Sequence, residues 1–157
     1  MAWYPTTDRL GLQPIEQTST VQNHPEGTII QGVDLTLGGG EFIYLKGVAN
    51  TVVGHLVWWN PVTHATTLTP NTANMNRPVA VAMSANVASQ WGWYQIAGAA
   101  VIKKSAINVA PDVAVYQSGT TGRVMSTAAS GKQIVNARTV NAASVASATS
   151  TITVLIE

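Results

Sequence analysis

The chain has 157 residues, no cysteine, 10% charged residues and a formal net charge of +1. That length buries a core without disulfides or a structural metal, and the missing thiols exclude Cys-based zinc sites and thiol catalysis. A near-neutral balance lacks the basic footprint of a nucleic-acid groove or an anionic membrane surface, and no run of about 18 apolar residues offers a transmembrane helix, so neither partner is expected.

Residues 1–26 form the first zone. Met1-Ala2-Trp3-Tyr4-Pro5 lacks the basic-then-apolar order of a signal peptide, so synthesis in a cytoplasm is expected. Trp3, Tyr4, Pro5, Leu10, Leu12, Pro14 and Ile15 alternate irregularly with polar residues, and Pro5, Pro14 and Pro25 disfavour a helix. Disordered tails are poor in aromatic and branched apolar residues, so this segment reads as an extended arm that docks. Its contact residues are Trp3, Tyr4, Pro5, Leu10, Leu12 and Ile15. Residues 27–157 then form a β-rich domain.

In Thr28 to Leu37, Val33, Leu35 and Leu37 alternate with Asp34 and Thr36, which predicts a half-buried strand with the two polar residues on its wet face. Gly38-Gly39-Gly40 is read as the turn. Glu41 to Lys46 follows, with Phe42 and Tyr44 on one face and Ile43 and Leu45 on the other. Thr51 to Asn60 is a third strand, broken or bulged at Gly54. It leads through Asn60-Pro61-Val62-Thr63-His64 into Ala65 to Thr69 as a hairpin.

Val79 to Met83 is a strand of small residues, and Ser84 to Gln90 is one helical turn or a loop. Trp91 to Lys103 bends at Gly98. Val113 to Tyr116, Arg123 to Ser126, Gln133 to Asn136 and Thr151 to Ile156 complete the set, with 137–150 read as a surface loop before the last strand. Short strands at this spacing with Gly-rich turns predict an all-β fold, a small barrel or sandwich of antiparallel strands.

No catalytic constellation appears. His55 and His64 flank the Trp58-Trp59 hairpin, but two histidines without a third ligand are a weak metal signal, and no Gly-x-Ser-x-Gly elbow occurs. Gly38-Gly39-Gly40 precedes a strand, where a phosphate loop would need a helix. No catalytic residue, metal or cofactor is expected. Trp58, Trp59, Trp91 and Trp93 are the strongest local feature. Adjacent tryptophans on a strand face opposite ways, so of Trp58 and Trp59 one is core and the other lies at an interface or on an exposed sugar-binding face, and core packing is the expected role of most of the set.

Trp91-Gly92-Trp93-Tyr94-Gln95-Ile96-Ala97-Gly98-Ala99-Ala100-Val101, with Val109 to Val115 and the Ser118 to Gly122 turn, resembles tailed-bacteriophage head decoration proteins, also called capsid cement proteins. Their small β domains carry a Gly-aromatic-x-Gln-x-x-Gly strand, then a turn and a Val-rich strand. Gly47-Val48-Ala49 and Pro78 to Ala82 resemble the upstream part, so the likeness spans Glu41 to Glu157. It implies a non-enzymatic structural protein on the outer surface of a virion capsid, made in the host bacterial cytoplasm and binding major capsid protein as a homotrimer. The arm would be its capsid contact. Rival readings are a head fibre or tail protein and a carbohydrate-binding module with an exposed Trp.

Overall fold

The chain is all-β. The computed structural model describes residues 2–7, 11–75, 77–142 and 151–156, with the backbone alone at 151–155, and among these residues no helix forms. The strands are β1 (Tyr4–Pro5), β2 (Ile29–Asp34), β3 (Gly38–Lys46), β4 (Leu56–Trp59), β5 (Thr66–Leu68), β6 (Val79–Ala82), β7 (Trp91–Lys103), β8 (Ala114–Gln117), β9 (Val124–Met125), β10 (Gln133–Thr139) and β11 (Thr151–Ile156).

Strand β7 organises the rest. Tyr94 and Gln95 pair with both β3 and β6, and Gly98 pairs with both Gly40 of β3 and Ile156 of β11. Hence β3 runs along one edge of β7 while β6 and then β11 share the other, and the sheet forks between them. One branch continues β6-β4-β5, and the other runs β11-β10-β8-β9. The main path begins at β1 and ends at β9, so the described strands form no closed barrel. Leu56, Val81, Ile102, Val115, Val124, Ile134 and Ile156 share one buried cluster, which packs the branches against each other as in a sandwich.

The alternation in β3 holds as the pleat requires. Phe42 and Tyr44 enter a cluster with Trp3, Ile15, Ile30 and Trp93, while Ile43 and Leu45 enter another with Val57, Ala80 and Tyr94. Both faces of β3 are therefore core. The β4–β5 hairpin is closed by Asn60, whose Oδ1 accepts from the N–H groups of Val62 at 2.8 Å and Thr63 at 3.0 Å.

Several boundaries differ from expectation. The third strand is confined to Leu56–Trp59, because Gly54 sits at φ 83° and turns the chain before it. Residues 84–90 form no helical turn, and β10 continues through Thr139 into the stretch read as loop. Residues 143–150 of that loop lie outside the described residues.

The first strand is corrected in phase. Ile30, Gly32 and Asp34 are buried, whereas Ile29, Gln31 and Val33 face outward. The glycine triplet belongs to β3, and the turn is Leu35-Thr36-Leu37. The reason is Asp34: its Oδ1 accepts from the N–H groups of Thr36 at 2.8 Å and Leu37 at 2.9 Å, which ends the strand with an Asx-type turn. The Leu37 and Thr36 N–H groups also hold the Asp34 carboxyl below its ordinary value of 3.8.

A folded pKa below the unfolded one adds stability that is fully present above the ordinary carboxylate range and is lost as pH falls through the folded value. The midpoint of urea unfolding is therefore expected to fall on acidification below pH 3.8. Asp34→Asn, whose amide oxygen still accepts both bonds, should remove that component. An identical acid slope in the variant would refute the assignment.

The N-terminal segment is extended, and it docks on its own domain. Trp3 is 6% exposed and Ile15 1% exposed, both inside the cluster with Phe42, Tyr44 and Trp93. Trp3 meets Phe42 edge-on with ring centroids 4.9 Å apart. These two are corrected as partner contacts, because the domain's own core consumes them. Leu12 is half-buried against the same cluster, and Leu10 lies outside the described residues. Tyr4 and Pro5 remain exposed, paired to Val33 and Gly32 at the sheet edge.

Candidate functional site

The tryptophans divide as strand geometry requires. Trp58 and Trp93 are buried in this chain's own core, the role expected of most of the tryptophans, and drop out of the candidate interface residues. The Trp93 indole N–H donates to the Gln13 carbonyl at 2.9 Å. Trp91 is half-buried, donates to Glu26 Oε1 at 2.8 Å and lies 5.5 Å from the Lys46 Nζ. Trp59 is half-buried and stacks on His64, with centroids 6.4 Å apart and planes inclined by 18°.

The histidines go to separate neighbours. His64 lies against Gly27 and Trp59, whereas His55 lies against Gly122. Burial, with Arg123 and Lys103 adding positive charge, pushes the His55 pKa down, so its neutral form is favoured. Among the described residues no three His, Asp or Glu side chains gather to hold a metal ion.

Part of what the fold leaves outside is apolar. On β2 the outward positions Ile29 and Val33 are 51% and 36% exposed, and Tyr4, cross-strand partner of Val33, is 54% exposed. Leu35, at the tip of the β2–β3 turn, is 91% exposed. Beside them lies a hollow of about 410 Å³ over Gly32, Gly39, Gly40 and Gly98, with Gln31 and Glu41 on its lining. Val33 pairs with Gly39 in the ladder, so an apolar side chain stands directly beside a position with none. No family model, curated protein or solved structure matches the chain.

Knobs beside a hollow on a sheet face are a shape that another protein can fill. Single exposed apolar residues are ordinary, whereas neighbouring ones mark interaction surfaces; here Tyr4 and Val33 are direct cross-strand neighbours, and the Gln31–Glu41 pair stands between them and Ile29. The sequence reading missed Ile29 and Val33 as exposed positions, since Ile29-Ile30 fits either phase of a strand. The legible signal was Asp34, whose type favours a turn over a strand interior.

Proposed function

We propose that the protein is a non-enzymatic structural component of a bacteriophage virion. It binds the outside of the capsid as a homotrimer and stabilises the shell by bridging major capsid protein subunits. The observation that carries this reading is the apolar face of Tyr4, Ile29, Val33 and Leu35 beside the glycine-floored hollow. It supports a protein whose work is contact. Apolar area removed from water yields about 25 cal/mol per Å², and an interface of about 1,600 Å² repeated around a shell adds stability at every copy. The likeness of Trp91 to Val101 to head decoration proteins supplies the kind of partner and the trimer.

Two substitutions test the face without touching the core. Leu35→Asp places a charge on an exposed tip, and Gly39→Glu fills the hollow from a position where an added Cβ meets nothing within 4 Å. Both variants should unfold at the wild-type urea midpoint. Both should fail to occupy purified capsids that wild-type protein decorates, and capsids left bare should open at a lower temperature. Wild-type occupancy by both variants would overturn the face, and equal thermal resistance of bare and decorated particles would overturn the cement role.

A further inference from the structure

A groove of about 610 Å³ opens where the two branches part from β7. This volume lies within the roughly 300–1,000 Å³ typical of small-molecule sites. Trp59 and Arg77 line it from the β4–β6 side, Gln117, Gln133 and Asn136 from the β8–β10 side, and Ile96 from β7 between them. Ala97 pairs with Glu41 and Gln95 with Phe42, so Ile96 is the extra residue of a β-bulge, released from the ladder at the fork. Asn136 sits at φ 63° within the irregular stretch of β10. The groove is thus built by two breaks in regular pairing.

Two of its residues carry buried polar atoms with no partner: the indole N–H of Trp59, a donor, and Oε1 of Gln117, an acceptor. Gln117 is only 4% exposed. Native folds pair nearly all such atoms, and a water, an ion or a ligand can complete the set. Between them the two atoms call for an acceptor and a donor. A hydroxyl offers both, and a hydrocarbon offers neither.

Trp59, Ile96 and the neighbouring Val79 and Ile134 supply apolar wall for the C–H face of a ring. Arg77 lines the groove, and among the described residues no Asp or Glu does. Its guanidinium lies 5.8 Å from the Trp58 ring centroid, which restrains it at the rim.

We propose that this groove binds an acidic saccharide. Pyranose hydroxyls would meet the Trp59 N–H and Gln117 Oε1, and the sugar's carboxylate would meet Arg77. This site is separate from the apolar face, and it would give a capsid-bound protein a second attachment, to acidic glycan.

The test follows the five indole N–H signals of ¹⁵N-labelled full-length protein, with that of Trp59 assigned by Trp59→Phe. Glucuronic acid should shift the Trp59 signal saturably in the millimolar range. Glucose should bind about tenfold more weakly, and Arg77→Ala should reduce glucuronate to the level of glucose. Gln117→Leu should weaken both sugars about tenfold while raising the urea midpoint of the free protein, since it removes an unpartnered buried acceptor. If that variant fails to fold, Arg77→Ala, at an exposed position, still decides. The absence of a saturable shift with glucuronate overturns the proposal. So does glucose, inorganic phosphate or a tri-glutamate peptide matching it.

Discussion

Deleting residues 1–22 is expected to unfold the domain. Trp3 and Ile15 fill the cluster of Phe42, Tyr44 and Trp93, and truncating buried side chains of these types costs about 3–5 and 2–5 kcal/mol. Between them in the chain, Gln13 is a polar hub. Its Nε2 donates to the carbonyls of Gln17 at 2.7 Å and Trp91 at 3.2 Å, and its Oε1 accepts from Tyr44 Oη at 2.8 Å and Asn23 Nδ2 at 2.9 Å. Its main chain accepts from the Trp93 indole and donates to His24 Nε2.

Removing that hub leaves two donors unmet beneath the sheet, the Tyr44 O–H and the Trp93 N–H, at about 1–3 kcal/mol each, although the Tyr44 oxygen still accepts from the Asn23 N–H. These losses together reach the 5–15 kcal/mol that holds a whole domain folded. The deleted chain should therefore show no cooperative urea transition, and Trp3→Ala and Gln13→Ala should each lower the midpoint of the full chain. A deleted chain that unfolds cooperatively at the wild-type midpoint would show that the segment is an appendage after all.

The same segment marks the limit of what its residues disclose. That it docks was legible, because Trp3 and Ile15 are too apolar to remain in water. Where it docks was not, because irregular spacing names no face, and a core that accepts a side chain from far along the chain leaves no local trace. Within β3 the case is opposite. Phe42 to Leu45 sit in one continuous ladder, so period two alone sorts them into two clusters.

Asp34 shows how a single polar residue overrides that pattern. Val33, Leu35 and Leu37 fit an amphipathic strand, but two backbone N–H groups on one carboxylate end the strand first. The groove was legible only in part. Trp59 was singled out as one of a facing pair, whereas Gln117, Gln133 and Asn136 are ordinary amides whose meeting with it depends on how the branches fold over each other.

The fork itself depends on Gly98, and Gly98→Ala is expected to lower stability by about 2–5 kcal/mol, combining left-handed backbone strain with overpacking. Gly98 sits at φ 95°, and a Cβ built there would lie 2.5 Å from the Gly39 carbonyl oxygen and 3.0 Å from the Gly40 Cα. Neither neighbour is a side chain that can swing away. The bend is fastened from within by Gln95, whose buried amide donates to the carbonyls of Ala97 at 3.1 Å and Ala99 at 3.0 Å on either side of the glycine.

A shift of β3 away from residue 98 would therefore disturb three things together: the Gly39–Gly40 hollow, the bulge that releases Ile96 into the groove, and the start of the β11 pairing. Gly39→Ala is the matched control, since its Cβ meets nothing within 4 Å and its effect should stay within about 1 kcal/mol. In urea unfolding the first variant should lose midpoint and the second should not. In the spectrum of indole N–H groups only the first should move Trp59, which lines the groove at the fork, without touching it directly. Equal midpoints for the two variants would mean that β7 bends for some reason other than the glycine, and the link between hollow and groove would fall with it.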